Sequence, residues 1–310
     1  MKTTFITTVF NEEKTIHSLL QSLQNQTQLP SEIIICDAYS TDSTLSLLHN
    51  FAKKHTNVLI LQKKGNRAIG RNYAIKHAKN DIILCSDAGC TLDKKWIEEI
   101  TRPFLNRSTD VVAGYYYPVA HNTFQKLLAT YTCVMPDQLN PGSFLPSSRS
   151  VAFRKQVWIK VGGYPEYLDT CEDLVFANEI KKRKFHMIFV KNAFVYWPQR
   201  ENIFAAAKQF YSYAKGDGRA LYIRTQVPLL YIRYAVMITL LGISLITRNR
   251  IMIGALIGIG ILYCMWAIAK KYRYNKSIQA IYLLPVIQFI ADGSVLCGTT
   301  VGLMERLMRR

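Results

Sequence analysis

Short apolar runs alternate with amphipathic segments along the first 120 residues of the chain. The runs TFITTVF, EIIIC, NVLILQ and DIILCS are almost continuously apolar, which is typical of parallel strands that are buried on both faces. After the first run, Ile16, Leu19, Leu20 and Leu23 recur with the spacing of one helix face. This alternation predicts an α/β fold, in which a mainly parallel, Rossmann-type sheet has helices on both faces.

The pattern is less regular from about residue 120 to residue 225. The segment MPDQLNPGSFLPSSRS, residues 135–150, is long for a connection in a compact domain, and its length favours a binding loop or a lid. A short strand (VAFR) and two helices follow, and FHMIFV and AFVYW then predict two further strands. We assign residues 1–225 to one domain.

Three long apolar segments follow, at about residues 228–247, 251–269 and 278–303. Each has about the length that a helix needs to cross a bilayer. The first contains Arg233 near one end, and the third contains Asp292. The third segment is therefore expected either to span the membrane or to be re-entrant around Asp292. Residues 226–310 thus predict a C-terminal membrane domain with two to three transmembrane helices.

The chain is strongly basic, with 39 Lys and Arg residues against 21 Asp and Glu residues and a formal net charge of +18. The basic residues are spread along the chain and are frequent near its apolar part. This distribution favours membrane lipid and a phosphorylated ligand as partners and argues against nucleic acid. Because positive charge favours the cytoplasmic side, we expect a multi-pass protein of the plasma membrane with its first domain in the cytoplasm.

Acidic residues stand at the ends of three predicted strands. Asn11-Glu12 follows the first strand, Asp37 ends the second, and Asp87 in SDAGC follows the fourth. Because parallel strands place their carboxyl ends at one edge of a sheet, these side chains are expected to converge. A further pair, Glu172-Asp173, opens a later helix. Each acid alone also fits a turn or a helix start, but together they favour a binding site.

These segments, in this order, resemble the motifs of family 2 glycosyltransferases. The resemblance rests on TTVFNEEKTI, ICDAYSTDST, AIGRNYAIKHA, SDAGC and GGYPEYLDTCEDLVFANEIKKR, and it covers roughly residues 3–220. The order of the motifs is more specific than any one of them. The resemblance implies the GT-A fold and inverting transfer of a sugar from a nucleotide-sugar donor. Membrane helices after the catalytic domain are also common in this family.

The resemblance also implies roles for individual residues. It assigns donor binding to Thr8, Phe10, Asn11, Glu12, Asp37, Arg71 and Asp87. Within this set, Phe10, Asn11 and Glu12 border the nucleoside, and Asp37 accepts a hydrogen bond from the base. Inverting transfer needs a base for the proton of the attacking hydroxyl. The resemblance gives this role to Asp173, with Glu172 beside it to orient the acceptor or tune the neighbouring carboxylate.

The family's D-x-D motif is incomplete in this chain. Asp87 matches its first acid, but Gly89 replaces the second, which is often a metal ligand. Since Mg²⁺ is commonly held by one or two carboxylates plus substrate phosphates, we expect Asp87 to bind a divalent cation, Mg²⁺ or Mn²⁺, together with the diphosphate. The other route that remains open is cationic, with Lys63, Lys64, Arg67 and Arg71 neutralising the leaving group.

The acceptor is expected to be a lipid-linked or cell-surface glycan, because a membrane domain follows the predicted catalytic domain. The main alternative is a non-catalytic nucleotide-sugar-binding membrane protein with a decayed D-x-D site. The presence of both Asp87 and the Glu172-Asp173 pair speaks against it. A nucleotidyltransferase needs a glycine-rich phosphate loop after its first strand, where this chain has VFNEEKTI. A transporter is disfavoured because the polar part dominates the length.

Overall fold

The computed structural model describes residues 1–308 of the chain. The chain divides into two compact units. Unit 1 comprises Met1–Val119 and Met135–Pro198, and unit 2 comprises Ala120–Val134 and the chain from Gln199 onward. Residues 120–134 and the stretch from Gln199 to the first apolar segment thus belong to the same unit as the three apolar segments.

One sheet forms the centre of unit 1. Its strands, in the described part of the chain, are β1 (Thr3–Val9), β2 (Glu32–Asp37), β3 (Val58–Gln62), β4 (Ile82–Cys85), β5 (Thr91–Leu92), β6 (Val111–Val119), β7 (Val151–Arg154) and β8 (Met187–Pro198). The helices of this unit are α1 (Ile16–Gln24), α2 (Thr44–Ala52), α3 (Arg67–His77), α4 (Trp96–Thr101), α6 (Lys155–Val161) and α7 (Glu172–Lys182). A 3₁₀ turn (Arg102–Leu105) extends α4.

The strand order is β3-β2-β1-β4-β7-β6-β8-β5. The pairs β1–β2, β1–β4, β2–β3 and β6–β8 are parallel, whereas β7 runs antiparallel to both of its neighbours and β5 to β8. The predicted mainly parallel sheet is confirmed. Two short antiparallel strands, β7 and β5, interrupt the parallel pairing in its second half.

Helices cover both faces of the sheet, as predicted. The neighbouring residues Phe5 and Ile6 of β1 point to opposite faces, and neither is exposed. Phe5 meets the ring of Trp96 on α4 edge to face, with the ring centroids 6.1 Å apart. Ile6 packs in a separate cluster with Ala74 and Ile75 of α3. This double burial explains why the first strands lack the alternation of a half-exposed sheet.

The prediction of two strands in FHMIFV and AFVYW was wrong. Residues Met187–Pro198 form one strand, β8, which pairs with β6 along its length. The register of this pairing shifts between Gly114 and Tyr115. A β-bulge accommodates the polar residues Lys191 and Asn192, which made the sequence resemble a turn between two strands.

The long segment 135–150 is held against the sheet of unit 1 by aromatic contacts. The ring of Phe144 lies 4.8 Å from that of Phe189 on β8 and 6.1 Å from that of Tyr115 on β6, centroid to centroid. Near its end, Ser147 and Ser150 form an isolated β-bridge. The segment therefore enters β7 with a defined backbone path.

Unit 2 is helical. Its helices in the described residues are α5 (Thr123–Thr132), α8 (Ile203–Arg219), α9 (Gln226–Ile246), α10 (Arg250–Lys271) and α11 (Ile278–Met308). The last three are long and apolar enough to cross a membrane. Asn249 begins α10 by accepting a hydrogen bond from the backbone of Met252, and Pro285 lies inside α11 without ending it.

The two charged residues that interrupt the apolar segments pair with each other. A guanidinium nitrogen of Arg233 on α9 lies 2.9 Å from Oδ2 of Asp292 on α11. The hydroxyls of Tyr234 and Tyr263 donate to the same oxygen at 2.9 and 2.5 Å, and Gln288 donates to Oδ1 at 2.9 Å. Paired charges are much less costly in an apolar surrounding than isolated ones. Since α11 continues through Asp292, the structure has no re-entrant turn there.

Candidate active site

The acidic residues predicted at the ends of three strands lie at one edge of the sheet. Because β1 pairs in parallel with both β2 and β4, the carboxyl ends of these strands are neighbours. Phe10, Asn11 and Glu12 follow β1, Asp37 ends β2, and Asp87 lies two residues beyond β4. Open α/β sheets bind ligands at such an edge, which makes it the candidate active site.

Asn11 and Glu12 tie the loop after β1 to the loop after β2. The backbone N–H of Asn11 donates to Oγ of Ser40 at 2.9 Å, and the side-chain oxygen of Asn11 accepts from the backbone N–H of Thr41 at 2.8 Å. The backbone N–H of Glu12 donates to Oγ1 of Thr44 at 2.8 Å. Asn11 adopts a positive φ of 54°, a conformation that asparagine tolerates better than most residues. These contacts leave Phe10 57% exposed beside the edge.

Asp37 is fully buried, and protein groups hold its carboxylate. The backbone N–H of Ser40 lies 3.2 and 3.1 Å from its two oxygens, and the side-chain amide of Gln62 donates to Oδ2 at 3.2 Å. Gln62 ends β3, directly opposite Asp37 in the pairing register. It was missing from the sequence prediction because a glutamine at a strand end carries no distinctive signal. Next to it, Tyr39 is 54% exposed.

A close approach of α3 to β1 places the next functional residue. A Cβ added to Gly70 of α3 would lie 2.7 Å from Cγ2 of Thr8, so only glycine lets the helix pack this closely. Thr8, predicted to bind the donor, packs here against α3. The residue after Gly70 is Arg71, whose side chain the close approach brings beneath the edge of the sheet.

Arg71 joins two of the predicted acidic residues. One terminal nitrogen of its guanidinium lies 2.6 Å from Oδ1 of Asp87, and the other lies 2.6 Å from Oε1 of Glu172. The guanidinium carbon lies 5.4 Å from the centroid of the Tyr164 ring. The side chain of Arg71 is 2% exposed, that of Glu172 3% and that of Asp87 29%. The structure therefore shows Arg71 engaged with carboxylates, whereas Lys63, Lys64 and Arg67 are exposed.

Arg71, Asp87 and Glu172, which form a buried triad, shift one another's pKa values. Burial alone would raise the pKa of Asp87, but Arg71 and, more weakly, Arg149 outweigh it and hold that pKa below its usual value. Burial raises the pKa of Glu172, and Arg71 only partly opposes the shift. Burial disfavours the charged form of Arg71, yet Asp87 and Glu172 raise its pKa well above the ordinary value. Arg71 thus stays a cation, and Asp87 stays an anion at neutral pH.

Asp173 faces a different set of partners from those of its neighbour Glu172. Helix α7 begins after Cys171, which has a positive φ of 70°. Successive residues on a helix point about 100° apart, so Glu172 turns inward to Arg71. Asp173 accepts hydrogen bonds from Oγ of Ser147 at 3.1 Å and from the backbone N–H of Ser148 at 3.3 Å. The two serines were missing from the sequence prediction, which marked their loop but no residue within it.

A metal ion at this edge would have one protein carboxylate as a ligand, that of Asp87. In residues 1–308, no group of three or more His, Cys, Asp or Glu side chains is placed to hold a metal. Arg71 contacts Oδ1 of Asp87, so Oδ2 is the oxygen that a cation can bind. Gly89 offers no ligand, and within the described chain no atom lies within 4 Å of a Cβ built there. A cation fits here only as one that takes its remaining ligands from phosphate and water.

Unit 1 has the GT-A fold, and comparison with known structures agrees. The mannosyltransferase PcManGT from Pyrobaculum calidifontis, in complex with GDP-Man and Mn²⁺, has a similar fold, with a TM-score of 0.59 and 15% identity over 100% of this chain and 88% of that chain. Residues 4–157 match the model of glycosyl transferase family 2. The chain belongs to this family.

Two curated relatives show how far the similarity extends. The poly(ribitol-phosphate) beta-glucosyltransferase of Bacillus spizizenii is 40% identical over 94 residues, which are 28% of this chain and 15% of that protein. The O-antigen chain rhamnosyltransferase WbaN of Salmonella anatum is 26% identical over 199 residues, 58% of this chain and 62% of that protein. The chain thus spans less than two thirds of the length of either relative.

Proposed function

We propose that this protein is an inverting glycosyltransferase that moves a sugar from a nucleotide-sugar donor to a hydroxyl of an acceptor. The observation that carries the proposal is the bridge through Arg71. It joins Asp87, on the donor side, to Glu172, which precedes the candidate base Asp173. A binding module has no use for a base next to the donor, so this arrangement favours transfer over binding alone.

The proposed reaction is a single displacement. The acceptor oxygen attacks the anomeric carbon of the sugar, the bond from that carbon to the diphosphate oxygen breaks, and the electron pair of that bond leaves with the nucleoside diphosphate. Asp173 takes the proton of the acceptor hydroxyl. The donors from Ser147 and Ser148 fix the orientation of its carboxylate. Burial raises the pKa of the neighbouring Cys85 to about 12, so this thiol stays neutral and is a poor nucleophile for a two-step route.

The donor is proposed to bind along the edge formed by β1, β2 and β4. The exposed rings of Phe10 and Tyr39 suit stacking on a base, and the loop held by Asn11 and Glu12 keeps the first ring in place. Asp37 is buried behind Gln62, so it acts on the base by orienting this amide. A divalent cation, when bound, would neutralise charge on the diphosphate and be held by Asp87 and phosphate oxygens.

The acceptor is proposed to be a lipid-linked or growing cell-surface glycan. The three apolar helices of unit 2 and the glycan-building relatives support this class. The proposed location is the plasma membrane, with membrane lipid around unit 2 and with unit 1 in the cytoplasm, where nucleotide sugars are made. The basic residues are spread along the sequence and are not gathered in one segment, which argues against nucleic acid as a partner.

A nucleotide panel tests the proposed function. The detergent-purified full chain is titrated with UDP, GDP, CDP and dTDP, each with Mg²⁺, with Mn²⁺ and with EDTA, and its melting temperature is recorded. A ligand that binds the folded state raises the apparent stability by mass action, so we expect one nucleotide to be selected. If none of the four nucleotides raises the melting temperature, the result contradicts the proposal and favours a decayed site.

Gly89→Asp is expected to strengthen the metal dependence of nucleotide binding. The substitution restores the D-x-D pattern, and the open space at Gly89 accommodates the new side chain. A second carboxylate gives the cation one more oxygen ligand. The affinity for the selected nucleotide in Mn²⁺ should rise several-fold, with no change in EDTA. Gly142→Asp, in the loop before β7, is the control. Equal affinities for wild type and variant in Mn²⁺ would show that no cation binds between Asp87 and the diphosphate.

A further inference from the structure

Arg149 lies in the turn that leads into β7, the strand that pairs with β4. β4 and β7 are antiparallel, and Cys85 pairs with Val151, the first residue of β7. Just before Val151 the chain turns: the backbone N–H of Ser150 donates to the carbonyl of Ser147 at 2.9 Å, and Arg149 lies inside this turn. The carbonyl of Ser148 accepts a hydrogen bond from Sγ of Cys85 at 3.6 Å, and Cys85 ends β4 two residues before Asp87. Arg149 thus approaches the incomplete D-x-D motif from the loop side.

Aromatic rings and a serine hydroxyl fix the guanidinium of Arg149. Its central carbon lies 3.9 Å from the centroid of a Trp197 ring and 5.2 Å from that of Tyr116. One terminal nitrogen donates to Oγ of Ser147 at 3.0 Å, and this hydroxyl in turn donates to Asp173 at 3.1 Å. Stacking engages the flat face of a guanidinium, whereas its N–H donors lie in the plane. The group is therefore preorganised beside the candidate base Asp173.

The leaving diphosphate needs more positive charge than Arg71 and a metal ion at Asp87 supply. Gly89 leaves a metal ion one carboxylate short, and the charge of Arg71 is balanced by Asp87 and Glu172 in the buried triad. The turn that holds Arg149 reaches the end of β4 through Ser148 and the candidate base Asp173 through Ser147. An arginine matches phosphate oxygens with its planar fork of donors.

We propose that Arg149 binds the diphosphate of the donor and neutralises the leaving nucleoside diphosphate, which deepens the proposed glycosyltransferase function and rests on it. In the displacement, the electron pair of the bond between the anomeric carbon and the diphosphate oxygen passes to that oxygen. Arg149 donates hydrogen bonds to the phosphate oxygens while this charge develops and keeps its own protons. The proton of the acceptor hydroxyl goes to Asp173, and nothing is oxidised or reduced.

Calorimetric titration of the full chain with UDP and with uridine separates contacts to the diphosphate from contacts to the nucleoside. If the panel selects GDP, CDP or dTDP, that diphosphate and its nucleoside replace this pair. In EDTA, Arg149→Gln should weaken UDP binding on the order of 10- to 100-fold, the range of a lost charge-assisted hydrogen bond, and leave uridine binding unchanged. Arg149→Lys keeps the charge without the fork and should weaken UDP binding by a few-fold.

The control is Arg154→Gln, because Arg154, at the far end of β7, also has its guanidinium over an aromatic ring, with its central carbon 5.6 Å from the centroid of Phe104. It should bind UDP as the wild type does. Unchanged UDP affinity in Arg149→Gln, or an equal loss for uridine, overturns the proposal. If the Gln variant does not fold, unchanged UDP affinity in Arg149→Lys overturns it. A wild-type protein that binds none of UDP, GDP, CDP and dTDP refutes the proposed function itself, and the role of Arg149 with it.

Discussion

Asp173→Asn is expected to abolish sugar transfer while leaving the binding of the nucleotide donor intact. An amide has nearly the shape of the carboxylate and can still accept from Ser147, but it cannot take the proton of the acceptor hydroxyl. General-base catalysis contributes roughly 10²- to 10⁴-fold to a rate, so the turnover number should fall by about this factor. The measurement is release of the nucleoside diphosphate in the presence of acceptor, alongside calorimetric titration with the selected nucleotide.

The matched control for this variant is Asp169→Asn. Asp169 is exposed, lies four residues earlier in the same segment and accepts a hydrogen bond from Asn66 at 3.3 Å. Its turnover should equal that of the wild type. If Asp173→Asn turns over as fast as the wild type, another group is the base. If it loses nucleotide affinity as well, the carboxylate serves mainly to hold the loop at Ser147 and Ser148.

The sequence predicted the part of the site that follows from strand ends. Apolar runs located β1, β2 and β4, and parallel pairing brings the residues after them to one edge whatever the side chains are. Asn11, Asp37 and Asp87 could therefore be placed together before any coordinates. The family resemblance added the Glu172-Asp173 pair, which is distant in the sequence and reaches the site only through tertiary packing.

The partners of these residues were beyond sequence analysis. Arg71 was predicted to neutralise the diphosphate, but burial beside two carboxylates makes the ion pair its dominant contact. Gln62 and Ser147 follow from pairing register and loop path, which a single sequence does not specify. The division of the chain has the same origin, because Gly298 and Gly302 of α11 lie against the backbone of Tyr211 and Lys215 on α8. Such close packing draws α8 into unit 2.

Arg71→Met is expected to destabilise unit 1 more than any other substitution considered. The methionine fills much of the same volume, but Asp87 and Glu172 lose the cation that compensates their burial. Removing one partner of a buried ion pair costs about 3–5 kcal/mol of folding free energy. For a unit of this size, the melting temperature should fall on the order of 10 °C. Transfer activity should be lost too, since Glu172 and Asp87 are no longer joined.

A pH series distinguishes loss of this ion pair from a general packing defect. In the wild type, the lowered pKa of Asp87 contributes stability above its unfolded pKa, and that contribution is lost as the pH falls through the folded value. The raised pKa of Glu172 has the opposite effect on stability: it costs stability at neutral pH, and that cost is relieved as the pH falls. Without Arg71, burial raises the pKa of both carboxylates, so their protonation stabilises the variant. The stability that the variant loses relative to the wild type should therefore shrink from pH 7 towards about pH 4.

The control is Arg102→Met, which removes an exposed arginine paired with Glu99 at 2.7 Å. Its free energy of unfolding should change by no more than about 1 kcal/mol, the effect of a surface ion pair. A deficit of Arg71→Met that is independent of pH would mean that its aliphatic packing, and not its charge, holds the site together.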